Sequence, residues 1–79
     1  MTARTITLQS RQQGRQSDLR RREAEARYWL KEGYTNEAKV NELMPRIAAK
    51  RGRAAADQLR QDMRDQWRIR TSWWEGAPL

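Results

Sequence analysis

The stretch AAKRGRAAADQLRQDMRDQW, residues Ala48–Trp67, decides the architecture. Lys50 and Arg51 put positive charge where a helix C-terminus is negative, and Gly52 offers the backbone freedom at which helices stop. Beyond it, Ala55, Ala56, Leu59, Met63 and Trp67 recur with the helical period, so a new amphipathic helix starts at once. Its apolar stripe rises from small to large side chains. The alanine end suits close approach to a neighbouring helix, and Trp67 fills the wider end. The spacing predicts this helix over 53–70.

Upstream, Val40, Leu43, Met44 and Ile47 share one helical face, and Thr35 is placed to cap its start, giving a helix over 36–51. Pro45 falls inside the pattern. It has no amide donor and clashes with the preceding turn, so a kink there, or a restart with Pro45 in the first turn, is expected. Earlier still, Ser17 and Asp18 suit a helix N-terminus. Leu19, Ala26 and Leu30 line up, Trp29 flanks them, Glu23 and Arg27 pair at i,i+4, and Gly33 stops a first helix over 18–32. Tyr28 points away from that line.

Residues 1–16 read as an extended, flexible basic arm, because the alternating TITL at 5–8 has no strand to pair with. Residues 71–79 form a tail carrying Trp73 and Trp74. The expected fold is thus all-α: a small three-helix domain over 17–70 between an arm and a tail, with short connections at the glycines. No internal repeat is visible.

Seventy-nine residues make one small domain, near the size where a core supplies little net stability. Without cysteine there is no disulfide framework, and without cysteine and histidine the usual zinc ligands are missing. Charged residues reach 34% against 37% apolar, yet the apolar ones cluster, which argues for folding rather than disorder. No apolar run approaches the roughly 20 residues of a membrane span, and MTARTITLQS lacks a secretory apolar segment. A cytoplasmic location is expected.

The net charge of +7 is unevenly placed. Residues 1–22 carry Arg4, Arg11, Arg15, Arg20, Arg21 and Arg22 against Asp18 alone, while 23–79 hold eleven basic and nine acidic side chains. The front end is an electrostatic arm suited to phosphate or acidic protein, or a solubilising tail.

On the third helix, Arg53, Arg60, Arg64 and Arg68 fall within about 80° and span roughly 22 Å at the helical rise. Arginine forks bind carboxylate and phosphate alike. Against this stands a plain alternative: Asp57 reaches Arg53 and Arg60, Asp65 reaches Arg68, and such pairs are ordinary on solvated faces. Trp29 and Trp67 have periodic core places. Trp73 and Trp74 are adjacent and cannot share a face of any regular element, so one is exposed unless the tail folds back. With the arginines they are candidate partner-binding residues, since interfaces favour Trp and Arg.

Other classes fit less well. One glycine is too short a turn for a DNA-reading helix-turn-helix, so phosphate contact without base readout is the better version. Exposed Phe and Tyr signatures of RNA binding are missing. The alanine-rich apolar face is narrow for a membrane surface. With no His, Cys or Gly-rich phosphate loop, and with acids mixed among bases at helical spacing, no catalytic, cofactor or metal site is expected.

Two segments, RRREAEARYWL at 20–30 and AAKRGRAAADQLRQDMRDQW at 48–67, together resemble a group of small phage and prophage proteins. That group shares an acidic-Ala-Arg-aromatic helix, an Arg-Gly turn and an Ala-Ala-x-x-Leu helix ending in Trp. GYTNEAKVNELMPRI at 33–47 departs from its short proline-led turn. The resemblance implies a phage or mobile-element origin in a bacterial host, where many small proteins block or redirect host machinery, CRISPR–Cas defence included. The resulting expectation is a non-enzymatic protein that inhibits or redirects a host protein or nucleoprotein complex. Sequence-independent nucleic-acid binding and a structural subunit completed by copies of itself are the alternatives.

Overall fold

A computed structural model of the chain describes residues 2–79, with side chains from Ser17 onward. It contains α1 (Thr2–Lys31), α2 (Glu37–Arg51), α3 (Arg53–Arg68) and a short 3-10 turn (Arg70–Ser72). The three-helix, all-α architecture is the one expected.

Each boundary has a local chemical cause. At the end of α1, Gly33 adopts φ 110°. Its amide donates to the Leu30 carbonyl at 3.1 Å, and the Tyr34 amide donates to the Trp29 carbonyl at 3.2 Å. This pair of bonds is a Schellman stop, and its usual apolar contact is present as Trp29 and Tyr34 packed edge to face at 5.4 Å. The α2 cap is Asn36, not Thr35: the Asn36 side chain accepts from the Lys39 amide at 2.9 Å. Thr35 lies one residue too early to serve that third-position amide.

Gly52 (φ 91°, ψ 163°) ends α2 and begins α3 by itself. Its amide donates to Ala48 at 2.8 Å while its carbonyl accepts from Ala56 at 3.2 Å. Pro45 does not interrupt α2, which is helical from Glu37 to Arg51. Pro45 and Asn41 are both exposed, so the Asn41 carbonyl that lacks its donor faces solvent, where the loss is cheap.

Two ends moved relative to expectation. α1 starts at Thr2 and runs through the stretch expected to be extended, TITL included. A formed helix adds one hydrogen bond per residue as it lengthens, and 2–16 contain no proline to stop it, so Ser17 is interior rather than a cap. α3 closes at Arg68, two residues short of the expected end.

The core is Ala26 and Leu30 from α1, Leu43, Met44 and Ile47 from α2, and Ala56, Leu59 and Met63 from α3. Ala55 and Trp67 from the expected stripe are half-buried. Leu19 is not in the core: it is 50% exposed, at the rim of a groove whose α3 side is Asp62, Asp65 and Gln66. α3 packs against both other helices.

Where α3 meets α1 the contact is polar. Arg22 donates to both Asp62 oxygens at 3.0 and 2.8 Å, Gln58 adds a third bond to Asp62 at 3.0 Å, and Arg27 donates to Gln66 at 2.8 Å. The pairs 22–62 and 27–66 advance together, so α1 and α3 are parallel. Arg51, in the last turn of α2, donates to Glu25 of α1 at 3.0 Å, which ties down the antiparallel α2.

Candidate functional site

The arginine ladder is not uniform. At its ends Arg53 lies 4.0 Å from Asp57 and Arg68 lies 3.0 Å from Asp65. In its middle, Arg60 and Arg64 have no carboxylate within ion-pair distance among the described residues. They stand one turn apart, about 6 Å along the axis. Like charges at i,i+4 cost a helix a few tenths of a kcal/mol, so nothing in the fold's stability calls for this pair.

Both line a cleft of about 250 Å³ between the end of α1, the start of α2 and the second half of α3. Its apolar walls are Leu30, Tyr34, Val40, Met63 and Trp67, and Glu37 is among the residues that line it with Arg60 and Arg64. The cleft follows from the turn chemistry. The Schellman stop aims Tyr34 back over Trp29, Arg46 donates to the Tyr34 hydroxyl at 3.2 Å, and the Asn36 cap sets Glu37 at the start of α2.

Four described cations outside the ladder are ion-paired. Arg21 pairs with Asp18, Arg27 lies 3.9 Å from Glu23, and Arg51 pairs with Glu25. Arg22 was expected in the electrostatic arm, but it belongs to the α1–α3 seam through its two bonds to Asp62. Arg20 is exposed and lines a shallow groove with Tyr28 and Lys31. Arg4, Arg11 and Arg15 lie outside the described side chains.

The two interhelical pairs shift each other's ionisation. The Arg22 hydrogen bond is the main force holding the Asp62 carboxyl below its usual range, with partial burial opposing it and Gln58 assisting. Asp62 in turn raises Arg22. The Arg51 hydrogen bond lowers Glu25 against partial burial, and Glu25 raises Arg51. Every one of these shifts favours the charged form, which suits bracing rather than proton transfer.

The tail folds back. Trp73 and Trp74 are half-buried against the core and stack on each other at 5.4 Å with ring planes 20° apart. The Trp73 indole donates to the Gln66 carbonyl at 2.9 Å, and Arg27 lies over its ring at 5.2 Å. Arg70 sits over Trp67 at 4.2 Å and donates to the carbonyls of Trp67 and Pro78. The 3-10 turn resolves the adjacency problem, since two neighbouring rings can pack on one side once the helix has ended. The structure therefore brings Arg60 and Arg64 together with the cleft, and places Trp73 and Trp74 apart from it on the domain's own core.

Tyr34 and Glu37 carry no mark in the sequence reading, and Val40 appears there only on the apolar face of the second helix. The available signal was Trp29-x-x-x-Gly33-Tyr34, an aromatic pair flanking a glycine stop, which fixes the tyrosine over the end of its helix.

This is a small three-helix protein whose most distinctive surface is a basic, apolar-floored cleft. Residues 15–70 match the model of DUF7696, a family of unknown function, and the chain belongs to that family. No curated protein and no solved structure matches it.

Proposed function

We propose that this is a non-enzymatic accessory protein of phage or mobile-element origin that binds a host macromolecular complex and inhibits or redirects it, as an anti-CRISPR or other anti-defence protein would. The observation that carries the reading is the open pair Arg60 and Arg64 beside an apolar cleft, where among the described residues Arg21, Arg22, Arg27, Arg51, Arg53 and Arg68 of the same helices lie within ion-pair distance of carboxylates. Unpaired arginine next to buried apolar surface is the composition of an interface hot spot. The phage origin and host target rest on the resemblance of the α1 and α3 sequences.

The test is affinity purification of the tagged full chain from a bacterial host in which it is active. One host complex should be retained in fixed stoichiometry by the wild type and lost by R60A/R64A, with the melting curve of the variant unchanged. Failure of both proteins to retain any complex sinks the reading. Sequence-independent nucleic-acid binding is the second reading, favoured by the net charge and by the 6 Å arginine spacing, which also suits successive phosphates. It predicts retention of a 20-base-pair duplex at low salt with a steep salt dependence.

A further inference from the structure

From the Arg60–Arg64 cleft we infer the chemistry of the partner: an acidic protein segment that presents one large apolar side chain between carboxylates. This rests on the proposal that the α3 face is the working surface, and it goes further by choosing protein over nucleic acid.

Three features of the cleft select that occupant. Its lining is apolar on three sides, from Leu30, Val40, Met63 and Trp67, with room for one large side chain. Burying such a side chain beside Trp67 gives the segment an anchor. Its charge is supplied by two guanidinium groups that lack internal carboxylates, and these complement two acids one helical turn apart. Its rim also carries Glu37, whose carboxylate repels phosphate and carboxylate alike but accepts a hydrogen bond from a peptide amide, a donor that a phosphodiester backbone lacks, so the segment's acids face the arginines and its backbone N–H faces Glu37. A phosphate backbone answers the arginines alone. An acid–apolar–acid segment answers all three features.

The other surfaces offer less. The groove beside Arg20, Tyr28 and Lys31 is shallow and includes Glu23 and Arg27, which lie beside each other. The groove at Arg22 and Arg51 is formed by ion pairs that brace the helices. Neither has a core side chain in its lining: the first sets Arg20 and Lys31 beside Ala24 and Tyr28, and the second is lined by charged residues alone.

The experiment uses the full chain as bait for a displayed library of random 12-residue peptides, with a fluorescent 12-nucleotide oligo-dT as a parallel probe. The expected result is enrichment of peptides carrying Asp or Glu on both sides of Leu, Phe, Met or Trp. A synthetic peptide of the enriched sequence should bind with affinity reduced about tenfold or more by R60A/R64A, and comparably by T35W, which fills the cleft without removing charge. R53A should leave it within about twofold. Enrichment without acids, no enrichment, or an enriched peptide indifferent to T35W overturns the inference. If oligo-dT binds through Arg60 and Arg64 while no acidic–apolar peptide is selected, the basic face still functions and the partner assignment alone fails. If R60A/R64A alters neither probe, both fall.

Discussion

Gly52 is the whole connection between α2 and α3. Its φ and ψ lie where essentially only glycine is comfortable, and it closes one helix while opening the next. A Cβ there would meet nothing within 4 Å, so the penalty of Gly52→Ala is backbone strain without a steric clash. The expected loss is about 2 kcal/mol, read in thermal denaturation as a drop of roughly 10 °C. A melt unchanged by the substitution would show that the one-residue connection relaxes freely. Pro45 is the opposite case. Alanine there removes the ring's clash with the Asn41 carbonyl, so Pro45→Ala should stabilise the protein by about 1–3 kcal/mol in urea unfolding. Both residues are visible as punctuation in the sequence. That the chain stops at one and continues through the other depends on what the flanking residues bury.

Between elements, the seam of α1 and α3 is held by charge as much as by apolar packing. Asp62 is 8% exposed and Gln66 6%, and both meet arginines about forty positions away. Asp62→Ala leaves the Arg22 guanidinium and the Gln58 amide without their acceptor, at a cost of about 2 kcal/mol. The pH dependence has a definite sign. Asp62 and Glu25 titrate lower in the folded protein than in the unfolded chain, so the folded state binds fewer protons through the carboxylate range. Their contribution is complete above the ordinary carboxylate range, near pH 5, and fades as pH falls through the depressed folded values. Arg22 and Arg51 are raised further above neutrality and keep their charge throughout. Circular-dichroism melts from pH 7 to pH 2 should show an acid limb that is shallower in D62N/E25Q. A double variant as acid-sensitive as wild type would place the loss elsewhere.

Taken as one object, the protein spends its charge unevenly. The core is eight small or medium side chains, and interhelical ion pairs and a folded-back tryptophan tail supplement it. Among the described residues no helix is long and apolar enough to cross a membrane. Partner binding through Arg60 and Arg64 should weaken with ionic strength, and R60A/R64A should flatten that dependence while leaving the melting temperature within about 2 °C. A salt response equal in the two proteins would assign the electrostatics to other arginines.

The three helices, the glycine stops and the faces of α2 and α3 were determined by the sequence alone. Each is a matter of neighbours within four residues: a period, a cap, a missing donor or a free backbone. The tertiary structure decided everything that joins residues dozens of positions apart. Asp62 reads locally as one more acid on an exposed helix, and only the parallel approach of α1 turns it into the anchor of Arg22. Trp73 with Trp74 could be assigned to neither side until the tail's return was known. The arginine ladder shows the division most clearly. Its spacing is written in the residues, but which guanidinium groups remain open is set by where the other helices bring their carboxylates and their apolar walls.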